Sequence, residues 1–393
     1  MMKLNPAATI TEEFAERIKS ENRSAKMMKL APLIVLACLV VVFLIVCGAS
    51  FLSPKNIMNI LNQMALPLVV ALGLTFVIML GSIDLSIDGS VGMAGSLFAC
   101  FVLNSEFAYD LGFLSVVIAV GVSMLCGLLI GLCHVYLKIP SFMASFAFMY
   151  ICKGIGMVSY QGHPPTIKDP VITALPTTTF LGIPFITWVA IVMFLLCFFI
   201  QEYTAFGRHI YAVGTNENIP RSVGVSVEKV KIGVFTLAGF LFGVAGVIGA
   251  IRLGQGQIAI GDDKMFPAQA AVVVGGTSLA GGKGGVVNTI VGVLIMTVLD
   301  NGLVMLNVNP NIRTGVQGVI ILVAVILTAA RGAKVISTEG GGQNERTGTQ
   351  ERPLRSGGDR DQGRPPDWNG GPLQRQGHHQ DLWRHPGPEG SGA

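Results

Sequence analysis

Eight stretches of this chain carry too little charge to be stable in water. They are Leu30–Leu52, Gln63–Leu80, Gly112–Leu137, Phe142–Ser159, Phe185–Ile200, Ile232–Ile251, Val286–Val304 and Val316–Ala329. A membrane-crossing helix needs about 20 mostly apolar residues, somewhat fewer where neighbouring helices adapt. Only Lys153 and Asp300 put a formal charge inside any of these stretches. Two weaker stretches, Ser90–Leu103 and Pro267–Leu279, raise the expected count to about ten helices (8–10). Charged residues make up 13% of the chain, against roughly 25% in a soluble domain. The fold class is therefore all-α and integral to the membrane: a polytopic bundle over residues 30–330.

The charges outside the apolar stretches set the expected orientation. Lys3, Arg17, Lys19, Arg23, Lys26 and Lys29 precede the first stretch, which places residues 1–29 in the cytoplasm by the positive-inside rule. With about ten crossings the C-terminus is expected there too. The segment Glu202–Lys231, carrying Arg208, Arg221, Lys229 and Lys231, is then a cytoplasmic loop, and Lys153–Gly182 lies outside. Arg252, Lys264 and Arg313 would also lie outside, against the rule. The first stretch follows a long charged leader without a small-residue cleavage site, so it reads as a retained span. The seven cysteines sit in or beside apolar stretches with no zinc-type spacing, which argues against a metal or disulfide framework.

One polar break stands out. Gly81-Ser82-Ile83-Asp84-Leu85-Ser86-Ile87-Asp88-Gly89-Ser90 interrupts two apolar runs with two carboxylates. Each would cost about 2.5–3.5 kcal/mol at the bilayer centre. Such a break either lines a cavity or forms a polar turn at the surface. A second feature is Phe206-Gly207-Arg208-His209-Ile210-Tyr211-Ala212-Val213-Gly214-Thr215-Asn216-Glu217. Here Asn216 can cap a short helix containing Pro220, with Gly224 as its stop. A capped surface helix is a rigid knob for a soluble partner; the plainer reading is a loop whose cations only fix topology. A third is the glycine-rich run from Val273 to Gly285. A P-loop needs four residues between its first Gly and the Gly-Lys pair, then Ser or Thr. Gly276 is one residue too far from Gly282-Lys283, and Gly284 follows. The run reads as close helix packing and a tight turn rather than a nucleotide site.

Together these stretches resemble the permease subunits of the ABC importers for ribose, xylose, arabinose, galactosides and related sugars. The family's Gly-Ile-Asp-Leu-Ser signature is similar to Ser82–Ser86, with Ser82 in place of Gly. Its Phe-Gly-Arg-x-Ile-Tyr-Ala-x-Gly-x-Asn-Glu loop matches Phe206–Glu217. Its Val-x-Gly-Gly-Thr-Ser-Leu-x-Gly-Gly run matches Val273–Gly282. Asn301-Gly302-Leu303 and Pro140-Ser141-Phe142 add to the likeness. Departures are Ile87-Asp88, Pro220 for a small residue, Lys153 for Arg and Asp300 for Asn.

The resemblance implies a subunit without its own ATPase site, catalytic group, cofactor or metal. It implies an ABC ATPase docked on the cytoplasmic loops, an extracytoplasmic sugar-binding protein, a second permease copy and a prokaryotic inner membrane; nucleic acid is not among the partners. Sugars are neutral, so the pathway should offer hydrogen-bonding groups on an apolar wall; candidates are Asn62, Gln63, Ser82, Asp84, Ser86 and Asp300. For Asp84 a helix cap at the surface is the plainer alternative, and Asp300 sits near a span's end. The expected coupling residues are Gly207, Arg208, Gly214, Asn216, Glu217, Arg221 and Gly224. Gln161–Asp169 and Arg252–Lys264 are the candidate surfaces for the binding protein. The alternative is an ion-coupled secondary transporter, which would want buried Asp, Glu or His relays on several spans; His134 is the isolated instance. A membrane-embedded enzyme would need a His/Asp or Ser/His constellation, and the sequence offers none.

Beyond Ala330 the chain is Gly-, Pro-, Arg- and Gln-rich. It cannot bury a core, and residues 331–393 read as a disordered cytoplasmic tail. Codons can also be chosen for Gln374–Gly390 so that the next frame gives Ser-Val-Lys-Asp-Ile-Thr-Lys-Thr-Phe-Gly-Gly-Ile-Gln-Ala-Leu-Lys, which resembles the opening strand region of an ABC ATPase. On that reading the tail is a frameshift product, so His378, His379 and His385 are not a metal cluster; the nucleotide sequence decides it.

Overall fold

The structure is a computed structural model that describes residues 30–319 and Leu322. The N-terminal segment 1–29, the tail 331–393, most of the stretch Val316–Ala329 and the placement of both termini lie outside the described residues.

Twelve helices can be named in chain order: α1 (Leu30–Leu52, its last turn 3-10), α2 (Pro54–Met79), α3 (Ile87–Phe101), α4 (Leu114–Tyr136), α5 (Ser141–Ser159), α6 (Pro170–Ala174), α7 (Phe185–Tyr203), α8 (Ala205–Thr215), α9 (Asn218–Ser222), α10 (Val227–Leu253), α11 (Met265–Val274) and α12 (Val286–Met305). Residues 310–319 are also helical. A two-residue antiparallel hairpin, β1 (Thr179–Phe180) with β2 (Ile183–Pro184), leads into α7. Among the described residues, seven helices are long and apolar enough to cross a membrane: α1, α2, α4, α5, α7, α10 and α12. The two weaker stretches correspond to α3 and α11. At 15 and 10 residues these reach only about 22 and 15 Å, short of a hydrocarbon core of about 30 Å. They are half-helices.

At the centre stands α10, packed against α4, α3 and α2. Small residues let these backbones approach. Gly127 and Gly239 face each other across α4 and α10, Gly131 lies on Ile232, and Gly243 lies on Val120. These pairings run antiparallel, so the end of α4 lies beside the start of α10. The Ser123 hydroxyl donates to the Gly239 carbonyl at 2.7 Å across the same seam. By contrast α1 is peripheral and mostly exposed, whereas α2 is mostly buried.

Polar pairs fasten α2 to α12. Thr75 and Thr289 share a buried hydroxyl hydrogen bond of 2.6 Å, and Asn56 donates to Asn301 at 3.0 Å. Asn56 explains why α2 starts at Pro54 rather than at Gln63. Its amide satisfies the Phe51 carbonyl and Asn301 together, so an asparagine that reads as surface is buried at 7% exposure. Ser53 caps the helix by accepting from the Asn56 amide, with Pro54 following in the first turn.

Candidate functional site

The polar break is an extended segment held inside the bundle. Helix α2 ends because Gly81 adopts φ +77°, which closes a Schellman motif: Ser82 N–H donates to Val77 O (3.1 Å) and Gly81 N–H to Ile78 O (2.9 Å). Residues Ser82–Ser86 then run without helical bonds until α3 begins at Ile87. Free backbone amides at this depth need partners, and α5 supplies two. Ser141 accepts from Ile83 N–H at 3.2 Å and Ser145 accepts from Leu85 N–H at 2.9 Å. The geometry follows from two periods: residues four apart on a helix are separated by about 6 Å, and residues two apart on an extended chain by about 6.6 Å. The serine spacing was a readable signal that sequence reasoning missed.

Asp84 is 1% exposed and accepts from Ser86 N–H at 2.8 Å. It shapes the turn into α3, with Ser86 itself 1% exposed beside it. Asp88, one turn on, lies in the first turn of α3 and accepts from the Lys264 (3.2 Å) and Met265 (2.9 Å) amides. One carboxylate therefore lies in the first turn of α3, where the helix dipole favours it, and binds the free amides at the start of α11. Nearby, Lys153 of α5 pairs with Asp262 at 2.8 Å. Replacing Asp88 with Ala should lower unfolding free energy by about 1 kcal/mol, the usual cost of an N-cap, measurable by thermal unfolding in detergent.

The other pathway candidates lie elsewhere. Among the described residues, Asp84 and Ser86 alone of the six share a side-chain hydrogen bond. Asn62 and Gln63 lie near the start of α2, four turns or more from Met79, and Asn62 Oδ1 is buried without a partner. Asp300 pairs with Arg313 (3.3 Å) and lies 3.4 Å from the Gln317 amide nitrogen, next to the Asn56–Asn301 fastening. The two proposed docking surfaces turn out to be joined. Ile167 N–H donates to Gly254 O and Gly256 N–H to Pro165 O, both at 2.9 Å. The second half of Arg252–Lys264 is not surface, however: Ile260 is 7% exposed and Gly261 sits against the Asp88 carbonyl.

Within the expected loop Glu202–Lys231 the structure has the short helix around Pro220, as α9, and adds a helix the sequence reading did not expect, α8. Thr204 caps α8 by accepting from Gly207 N–H at 3.2 Å. Helix α8 survives its glycines because both are required by packing: a side chain at Gly207 would strike the Gln201 and Ile200 carbonyls, and one at Gly214 the Met79 carbonyl and Gly282. Asn216 does not cap α9 at its boundary, which falls at Glu217. Instead it forms a local turn, accepting from Asn218 N–H at 2.9 Å. Gly224, at φ +85°, ends α9. Arg208, Asn216, Glu217, Arg221 and Gly224 are exposed, as are Ile219 (63%) and Val223 (75%), two apolar residues one turn apart. Glu217 pairs with Lys231 and Arg221 with Glu228, each at 2.6 Å.

The glycine run completes this face. Gly282 N–H donates to Met79 O at 2.9 Å, and Gly281 packs on Gly81 and the Gly214 carbonyl. Tyr211 donates to Gly284 O at 2.8 Å; burial, then nearby Glu202, pushes its hydroxyl pKa up and keeps it a donor. Buried Gln201 accepts from Val286 N–H at 2.8 Å. Helix α8 thus touches, through one glycine turn, the end of α2 and the start of α12.

A polytopic helical bundle with half-helices at depth, a polar extended segment among them and a structured surface turn defines a membrane transport permease. The chain belongs to the family described as branched-chain amino acid transport system / permease component, whose model matches residues 56–325. Among similar proteins, the ribose import permease protein RbsC of Bacillus subtilis is 34% identical over 82% of this chain and 99% of its own length. The probable ABC transporter permease protein YphD of Escherichia coli is 35% identical over 75% of this chain and 87% of its own. The xylose transport system permease protein XylH of Haemophilus influenzae is 28% identical over 81% and 100%. No solved structure matches the chain.

Proposed function

We propose that the chain is the membrane permease subunit of an ATP-driven importer that carries a pentose or hexose delivered by a binding protein. Relatives named for ribose import and for xylose transport support the substrate class. On this reading the α8–α9 face is cytoplasmic and receives the ABC ATPase, the joined segments around Ile167 and Gly254 receive the binding protein, and a second permease copy completes the pore. The observation that carries the coupling role is the seat of Gly214 between Met79 and Gly282. A push on α9 reaches α8, then the glycine turn, then Gly81 and the Ser82–Ser86 segment, without passing through solvent.

The reading is tested in vesicles holding the chain together with its candidate partner ATPase and binding protein. Labelled ribose or xylose should accumulate only with ATP and a hydrolysis-competent ATPase; accumulation with hydrolysis abolished overturns the reading. Replacing Glu217 with Arg sets a cation against Lys231, whose pair with Glu217 is 2.6 Å long. Uptake should fall several-fold at unchanged membrane abundance, and normal uptake would remove Glu217 from the coupling face.

A further inference from the structure

A cavity of about 260 Å³ opens where α4 ends, α9 turns and α10 begins, lined by His134, Lys138, Arg221, Glu228 and Lys231 among others. Two of its cations are spoken for: Arg221 pairs with Glu228, and Lys231 with Glu217. Lys138 has no ion-pair partner among the described residues. It follows α4 at φ +55°, a left-handed conformation unfavourable for a non-glycine residue; glycine is usual at this position after a helix. The chain thus keeps a long cation where glycine is favoured. The start of α10, where Ser226 gives no side-chain cap and Glu228 stands in the first turn, adds a helix N-terminus, which favours anions. His134, which also lines the cavity, donates Nδ1–H to the Ile139 carbonyl at 2.8 Å. Beside this cationic pocket the last residues of α4 are apolar and uncovered, Tyr136 at 69% and Leu137 at 65%.

We propose that this pocket binds the phosphate-bearing headgroup of an anionic phospholipid, with the acyl chains lying along Tyr136 and Leu137. The inference rests on the reading that the α8–α9 face is cytoplasmic, because a basic pocket between helices on that side meets the anionic leaflet. The cavity suits a headgroup rather than a ligand of drug size, and the apolar rim favours a lipid over free phosphate. The site would anchor α4 and α9 to the bilayer beside the coupling turn.

The test uses the full purified chain in detergent, exposed to phosphatidylglycerol, to phosphatidylcholine with the same acyl chains, or to inorganic phosphate, with retention read by native mass spectrometry. Phosphatidylglycerol should be retained at least several-fold over phosphatidylcholine. Lys138→Glu should cut its retention roughly ten- to thirtyfold, at about 1 kcal/mol per charge near the surface, while phosphatidylcholine retention stays the same. Lys138 is exposed and lies outside any helix, and an unchanged thermal transition confirms that the variant folds. Equal phosphatidylglycerol retention by both forms overturns the proposal. So does saturation by inorganic phosphate with no preference between the two lipids, which would make the ligand a free anion. Neither readout depends on transport, so failure here is distinct from failure of the importer reading.

Discussion

Gly214→Trp is expected to abolish uptake, to less than a tenth of the unsubstituted level, while the protein still reaches the membrane at about normal abundance. Even the Cβ of a larger residue would meet the Met79 carbonyl and, at 2.8 Å, the Gly282 amide. Both are backbone atoms, which cannot rotate away as a side chain can. Helix α8 must therefore lift from the glycine turn, breaking the Tyr211 bond to Gly284 at its base. Of the spanning helices the contact reaches only the last residue of α2, Met79, so insertion should persist. Gly214→Ala makes the argument graded: it meets the same atoms with the smallest possible side chain and should give an intermediate loss. Uptake in vesicles, ATPase rate of the assembled complex and abundance by blot separate the outcomes. Loss of uptake with ATP hydrolysis continuing is the uncoupled signature, and near-normal uptake in Gly214→Trp would show that α8 does not transmit force through this seat.

What the sequence made legible, and what it hid, follows from the range of the interactions involved. The helices α1, α4, α5 and α7 are governed by local hydropathy and were readable to within a few residues. Misreadings fall where a polar residue finds its partner far along the chain. Asn56 looks like loop sequence until Asn301, 245 residues away, satisfies it. Asp88 could be read as a carboxylate in the polar break and a departure from a family motif but not as a cap, because its two amide partners lie 176 and 177 residues on. Helix α8 was hidden by the opposite problem. Gly207 and Gly214 lower its intrinsic propensity by about 1 kcal/mol each, and only the packed backbones of α7 and the glycine turn explain why they are tolerated. The half-helices α3 and α11 were found as weak spans because their composition is apolar, but length against bilayer thickness decides what they are. Of the candidate pathway residues, Asp84 and Ser86 could be placed together from a single motif, whereas Asp300 depends on Arg313 and a helix beyond the motif's reach.

The second large effect concerns the serines that hold the extended segment. Ser145 is fully buried, and its hydroxyl oxygen is the acceptor for Leu85 N–H. Removing it in Ser145→Ala leaves a part-buried amide without a partner, at a depth where water is scarce. The expected cost is about 1–3 kcal/mol, the penalty for an unmade hydrogen bond, and a sizeable fraction of the roughly 5–15 kcal/mol that holds a folded domain together. Ser141→Ala should cost less than half as much, since Ile83 is 47% exposed and its amide bond lies at the exposed edge. Both substitutions delete one oxygen; they differ in how wet the orphaned amide becomes and in the bond that the buried Ser145 hydroxyl also donates to the Phe142 carbonyl at 3.2 Å. Thermal unfolding in detergent reads the stability, and uptake reads whether the segment still positions Asp84. If the two variants lose equal stability, backbone satisfaction by α5 is not what fixes the segment. If Ser145→Ala is destabilised but transports normally, the segment is held by α5 without needing that hold for passage.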